Sequence, residues 1–230
     1  MRKIGLVGGT GPESTVMYYR ELNSRIDALT GGKAMPDIAV ESVNFRKAWG
    51  YVSDGQYDLL ADYLGEKARR LHEGGAEVIA LTAVTMHAVF DELTRQADFP
   101  LLSIPEAVRD YAVSEGYRKV GLLGTVFTME MDYMSKPLEM AGIRVFTPDA
   151  GERRLIGKRI LEELEKGIVK EETLREFRAI IDRLKQEDRI EAVILGCTEL
   201  PLLLNSDNCG LPCLDSVDIH IRKLIEAAMS

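Results

Sequence analysis

The chain has 230 residues, 46% of them hydrophobic, enough to bury one large core or two small ones. Its formal charge is −8, and Lys and Arg are interspersed with acids, as in Lys67-Ala68-Arg69-Arg70 and Lys170-Glu171-Glu172, so no basic face builds up and nucleic acid is excluded as an expected partner. No apolar run reaches the roughly 18 residues that span a bilayer, and Met1-Arg2-Lys3 leads straight into a strand-like run, so a cytoplasmic protein with no membrane partner is expected.

In chain order, the apolar run 3–7 precedes an amphipathic helix near 14–29, and 37–42 precedes a helix near 54–73. Further strands are predicted at 77–81, 101–103, 119–123, 143–146, 191–195 and 213–215. Helices are predicted near 85–95, 105–115, 128–140, 152–166, 171–187 and 215–229. Strand and helix alternate throughout, which implies βαβ units and parallel sheets, hence an α/β fold.

The chain also repeats itself. Lys3-Ile4-Gly5-Leu6-Val7-Gly8-Gly9-Thr10 reads like Lys119-Val120-Gly121-Leu122-Leu123-Gly124-Thr125. Ala76-Glu77-Val78-Ile79-Ala80-Leu81-Thr82-Ala83 parallels Ile190-Glu191-Ala192-Val193-Ile194-Leu195-Gly196-Cys197, and a Pro follows each, at Pro100 and Pro212. Two pseudosymmetric lobes are the simplest account, with expected boundaries at 1–97 plus 214–230 and at 98–213. In parallel sheets ligands bind at the carboxyl ends of strands. That singles out the turns Gly8–Thr15, Thr82–His87, Gly124–Met129 and Gly196–Leu200.

Each turn admits two readings. Gly8-Gly9-Thr10-Gly11-Pro12-Glu13-Ser14-Thr15 is either an anion cradle at a helix start or a tight turn. It is not a clean GxGxxG, although Glu41 lies where an acidic residue would hold a nicotinamide ribose. Gly124-Thr125-Val126-Phe127-Thr128 repeats its hydroxyls and backbone donors in the other half. Cys197 follows the strongest apolar strand, where helix-terminus donors would lower its pKa and favour thiolate. Cys209 and Cys213 read as small buried hydrophobes. Three cysteines are too few for a disulfide framework, and no Cys/His cluster has zinc spacing, so reduced thiols and no metal are expected. His87 is either an acid or base near neutral pH or a ring that orders its turn through backbone bonds. Glu162, Glu163 and Lys166 read as a solvated helix face.

These segments, together with Tyr18-Tyr19, Thr85-Met86-His87, Thr128-Met129-Glu130, Glu162-Glu163-Leu164, Gly196-Cys197-Thr198-Glu199, Asp215 and His220, resemble the aspartate/glutamate racemase family. The resemblance implies two similar lobes with the active site between them, no pyridoxal phosphate or other cofactor, no metal, a small amino-acid substrate and a homodimer. It also implies that proton transfer at Cα uses one acid/base from each half, because racemisation removes a proton from one face and returns one to the other. Cys197 matches the second of these positions. Thr10, Val84, Thr85, Thr125, Thr128, Thr198 and Glu199 match substrate-binding positions, and His87 and Glu165 supporting ones.

Three positions depart from the family pattern. Ala83 occupies the first acid/base position and cannot carry a proton. Val84 replaces an asparagine that binds substrate, and Glu165 replaces a lysine that aspartate-specific relatives use for the side-chain carboxylate. Expected, then, is a PLP-independent amino-acid racemase or epimerase with one thiol, in which Thr82, Thr85, His87 or a water replaces the missing acid. A single-cysteine decarboxylase or lyase of the arylmalonate decarboxylase type is an alternative, because protonating a carbanion needs one face only. A catalytically inactive amino-acid-binding homologue is another.

Overall fold

Unbroken apolar runs such as Ile4-Gly5-Leu6-Val7 and Ala192-Val193-Ile194-Leu195 suit strands covered on both faces, as parallel sheets require. A computed structural model describes residues 1–230 and contains two such sheets. The chain divides into two compact units, Met1–Ile104 with His220–Ser230, and Pro105–Ile219.

The first unit runs β1 (Ile4–Gly8), α1 (Pro12–Leu29), β2 (Ile38–Ser42), α2 (Phe45–Ser53), α3 (Tyr57–Glu73), β3 (Val78–Leu81), a 3-10 turn (Thr85–Val89), α4 (Phe90–Gln96) and β4 (Leu101–Leu102). Its strands are all parallel, in the order β2-β1-β3-β4. Pro12 at the first turn and Glu13 beside the helix N-terminus start α1. Its buried Ser14, Tyr18, Leu22 and Ile26 recur every four residues along one face. Burying each Leu or Ile of that stripe contributes about 1.5–3 kcal/mol.

The second unit begins within α5 (Ile104–Ser114) and continues with β5 (Lys119–Gly124), α6 (Val126–Glu130), α7 (Ser135–Met140), β6 (Arg144–Phe146) and α8 (Ala150–Glu162). After a 3-10 turn (Leu164–Lys166) come α9 (Glu171–Glu187), β7 (Ala192–Gly196), a 3-10 turn (Leu200–Leu202), α10 (Ser206–Cys209), β8 (Cys213–Asp215) and the start of α11 (Ser216–Met229), which from His220 onward belongs to the first unit. Its order, β6-β5-β7-β8, again all parallel, repeats the first sheet strand for strand. A reciprocal Asp149/Glu152 capping box starts α8. Phe177, Ile180, Ile181 and Leu184 of α9 pack with Leu123, Val193 and Leu195 in one core.

The division falls later than the expected 97/98 and 213/214. β4 pairs with β3 and so holds Leu101 and Leu102 in the first unit, while β8 pairs with β7 and so holds Cys213–Asp215 in the second. The predicted helices also break. The helix predicted from 54 is preceded by α2, and the two are separated at Gly55, whose φ of 67° only glycine adopts freely. The 85–95 segment opens as a 3-10 turn, and 128–140 is two short helices. Helix α8 stops at Glu163, and the chain turns through Gly167 at φ 70°.

Candidate active site

The carboxyl ends of β1 and β3 form one edge of the first sheet. Gly8 lies so close to Thr15 that an added Cβ would meet Thr15 Cγ2 at 2.5 Å, which is why glycine is required where β1 turns into α1. The Gly9 N–H donates to Thr15 Oγ1 at 2.8 Å, and Thr15 Oγ1 also meets Thr82 Oγ1 at 3.3 Å. These two hydroxyls fasten the end of β1 to the end of β3 and are spent on structure. Thr10, Ala83 and Val84 are buried around this edge, and Thr85 opens the 3-10 turn.

His87 has no free nitrogen. Its Nδ1 lies 3.0 Å from the Ala83 carbonyl and 3.2 Å from that of Val84, so it must donate, while Nε2 accepts from the Ile104 N–H at 3.1 Å. Burial lowers its pKa to about 4, against the two carbonyl bonds that favour the charged ring. The ring therefore orders the turn, the structural one of its two readings. His220 is arranged alike: Tyr18 Oη lies 2.7 Å from Nδ1, and Nε2 lies 3.3 Å from the Leu102 carbonyl. Burial, followed by the nearby His87, lowers its pKa to about 3.

The carboxyl ends of β5 and β7 form the matching edge of the second sheet. Gly124 and Gly196 sit opposite each other, and a Cβ on either would come within 3.0 Å of Thr128. Thr125 caps α6 by accepting the Thr128 N–H at 3.2 Å. The Thr128 hydroxyl is buried between Thr125 Oγ1 at 3.0 Å and Tyr133 Oη at 2.8 Å. Thr128 thus holds Thr125 in place, with no surface of its own to offer.

Cys197 follows β7 directly and is 9% exposed. Its thiol donates to Glu199 Oε2 at 2.9 Å. Burial raises its pKa well above the usual value, and the carboxylates of Glu199 and Glu165 raise it further. The direction is opposite to the expected lowering: burial and the two carboxylates outweigh the backbone donor at Glu199 and favour the thiol form. Thr198 and Glu199 are half-buried beside it.

Glu165 is exposed on the 3-10 turn Leu164–Lys166, from which its charge reaches the thiol. Glu163 corrects the solvated-face reading. It is 3% exposed, and it accepts from Arg159 at 2.6 Å, Lys170 at 3.0 Å and Thr173 at 2.5 Å. Those bonds, led by the one from Thr173, lower its pKa to about 2. They also pin α8, the turn carrying Glu165 and the start of α9 to one another. Sequence spacing offered one hint, the i,i+4 pair Arg159–Glu163; the α9 partners were invisible to it. No group of three His, Cys, Asp or Glu side chains is placed to hold a metal ion, and no helix is long and apolar enough to cross a membrane.

A family model described as Asp/Glu/Hydantoin racemase matches residues 7–224. A provisionally assigned Asp/Glu racemase from Yersinia pestis is 35% identical over the whole of both chains, with a TM-score of 0.95. An aspartate racemase homologue from Pyrococcus horikoshii OT3 is 38% identical, again over both whole chains, with a TM-score of 0.88. A broad specificity amino-acid racemase of Bacillus subtilis (strain 168) is 22% identical over 217 residues, 93% of this chain and 92% of its own.

Proposed function

The chain belongs to the Asp/Glu/Hydantoin racemase family, and from that premise we propose that it is a cofactor-independent amino-acid racemase or epimerase in which Cys197 is the one thiol that exchanges the α-proton, with a weaker donor on the other face of Cα. One observation supports this most: a buried thiol at the carboxyl end of β7 that is hydrogen-bonded to a carboxylate able to take its proton. Glu199 Oε2 accepts the Sγ proton as the sulfur removes the Cα–H, and returns it as the sulfur reprotonates carbon. The Glu199 assignment changes accordingly, from substrate contact to proton partner of Cys197. Substrate contacts are assigned to Thr10, Thr85, Thr125 and Thr198, whose hydroxyls and backbone N–H groups can stabilise the carboxylate as negative charge spreads onto it. Val84 takes an apolar part of the substrate, and Thr128 acts through Thr125.

Ala83 supplies no proton, and His87 is committed to three backbone groups. Thr82 is tied to Thr15. The donor on the other face of Cα therefore reduces to Thr85 or water, both poor acids. Exchange at Cα should outrun inversion.

Glu165 and Glu199 place two carboxylates around the thiol. A third negative charge from an acidic side chain would be repelled in a partly desolvated site, so neutral or basic α-amino acids are the proposed substrates. Purified protein in deuterium oxide, presented with both enantiomers of a panel of amino acids, tests this by NMR. Deuterium at Cα of one enantiomer of a neutral or basic amino acid, lost in Cys197→Ser, is the expected result. Exchange surviving Cys197→Ser would remove the thiol from the chemistry. Carbon dioxide release from substituted malonates with no α-exchange would replace the racemase reading by a decarboxylase.

A further inference from the structure

Cys209 and Cys213 lie outside the chemistry assigned to Cys197. Cys209 closes α10 and Cys213 opens β8, joined by Gly210-Leu211-Pro212, in which Gly210 at φ 70° reverses the chain. The reversal brings the two sulfurs to 2.8 Å, both as free thiols. The Leu211 carbonyl accepts from Cys209 Sγ at 2.9 Å and lies 3.8 Å from Cys213 Sγ, so both thiols are directed toward the same point. Cys209 is 2% exposed, whereas Cys213 is half-buried and flanked by the exposed Pro212. About 0.8 Å of approach separates this contact from the ~2.05 Å of a sulfur–sulfur bond.

We propose that Cys209 and Cys213 are an oxidant-responsive dithiol, a modification site that a hydroperoxide converts to an intramolecular disulfide while Cys197 stays reduced. Hydrogen peroxide is the oxidant class whose size suits one buried and one half-buried sulfur. The Cys209 sulfur attacks one peroxide oxygen and the O–O bond breaks. The leaving hydroxide takes up a proton to become water, and Cys209 becomes a sulfenic acid. The Cys213 sulfur then attacks the Cys209 sulfur, the S–O bond breaks, and a second water departs with the Cys213 proton. Two thiols lose two electrons and two protons, and one peroxide is reduced to two waters.

Electrostatics separate this pair from Cys197. Either sulfur can donate to the other across 2.8 Å. When one of the pair ionises, the thiol that remains donates to it; with the charge of Arg178 this outweighs burial and lowers the Cys209 pKa, while that of Cys213 is raised. The pair therefore reaches a singly ionised, peroxide-reactive form more readily than a buried thiol beside two carboxylates does. Cys197, buried beside two carboxylates, holds a thiol and reacts slowly with peroxide.

The test uses the full chain, reduced, desalted and treated with hydrogen peroxide near neutral pH. Titratable thiols should fall from three to one, the mass should fall by two hydrogens, and a dithiol reductant should restore both. Cleavage after Glu199 separates Cys197 from the pair, so peptide mapping assigns the bond. Cys209→Ser and Cys213→Ser should each abolish the two-hydrogen loss. Three thiols remaining after peroxide, a disulfide that includes Cys197, or Cys197 as the first sulfur oxidised would each overturn the proposal. The outcome is independent of whether the chain racemises an amino acid.

Discussion

Acidification from neutrality to about pH 5 should remove close to 4 kcal/mol of stability from the first unit, through two histidines that have no room for a second proton. An unfolded histidine protonates near pH 6.5. Folded His87 does so only at about pH 4 and His220 at about pH 3. Between those limits the unfolded chain binds more protons, so the contribution of each ring is complete above about pH 6.5 and is lost as pH falls toward its folded value. The linkage relation gives a loss of about 2 kcal/mol per histidine at pH 5, a large share of the ~5–15 kcal/mol that holds a typical domain together. The geometry gives the same sign. Adding a proton to His87 Nε2 sets N–H against the Ile104 N–H, and adding one to His220 Nδ1 forces the Tyr18 hydroxyl to turn.

Urea unfolding between about pH 7 and pH 5, followed by fluorescence, measures this directly. The single tryptophan, Trp49, lies in α2 of the first unit and reports the unit that holds both histidines. The wild-type curve should fall by about 2.7 kcal/mol per pH unit where both rings titrate, and by about half that in His87→Gln or His220→Gln. Absolute stability will fall in each variant, but the slope is insensitive to that loss. A wild-type slope near zero between about pH 6.5 and pH 5, or a slope unchanged in both variants, would refute the reasoning.

Ala83→Cys should supply the missing proton carrier and accelerate interconversion of enantiomers by about 10²–10⁴-fold, the usual worth of a placed acid or base; polarimetry checks it, and an unchanged rate in a folded variant removes Ala83 from the reaction. Gly8→Ala should destabilise the first unit by about 1–3 kcal/mol, the range for overpacking, because stiff Thr15 must move and release the Gly9 N–H; the Trp49 urea curve reads it. Glu163→Gln should lower the melting temperature and flatten stability in acid. The pKa of Glu163 is lowered to about 2 when folded, so its contribution is present above about pH 4.5 and is lost as pH falls through about 2. Thermal melts of both proteins at pH 7 and pH 3 make that comparison.

Much of this fold was readable from hydropathy because every central strand is an uninterrupted apolar run, and the repeat of Gly8-Gly9-Thr10 by Gly124-Thr125 foreshadowed two sheets with the same strand order. Helix interiors were readable and helix ends were not. The break between α2 and α3 depends on one glycine at positive φ, and that between α6 and α7 on Met131 leaving the helix at ψ 160°, neither of which disturbs hydrophobic periodicity. The site was legible as positions but not as chemistry. Cys197 at a strand end was evident, but the sign of its pKa shift depends first on how deeply the thiol is buried, then on Glu199 lying 2.9 Å away and on the charge of Glu165 from another element. Glu163 misled for the same reason, since Lys170 and Thr173 reach it from beyond a turn that the sequence suggested was continuous helix. His87 was undecidable in sequence because only the positions of three backbone groups distinguish its two roles.

A raised pKa fixes what a lone thiol can do. At neutral pH Cys197 carries its proton, so it starts as an acid and becomes a base only while Glu199 takes that proton. A substrate bearing a cationic α-ammonium group would offset the two carboxylates, though not the burial, and lower the thiol's pKa, so substrate binding itself should favour ionisation of the sulfur. An acidic side chain would cancel that gain, which is the physical link between Glu165 and the kind of amino acid accepted. Binding a neutral or basic amino acid should accordingly move the ionisation of Cys197 to lower pH, read as thiolate ultraviolet absorbance in a Cys209→Ser/Cys213→Ser background, and an acidic one should leave it in place. An ionisation of Cys197 that no ligand moves would show that charge offset at the thiol does not set the kind of amino acid accepted.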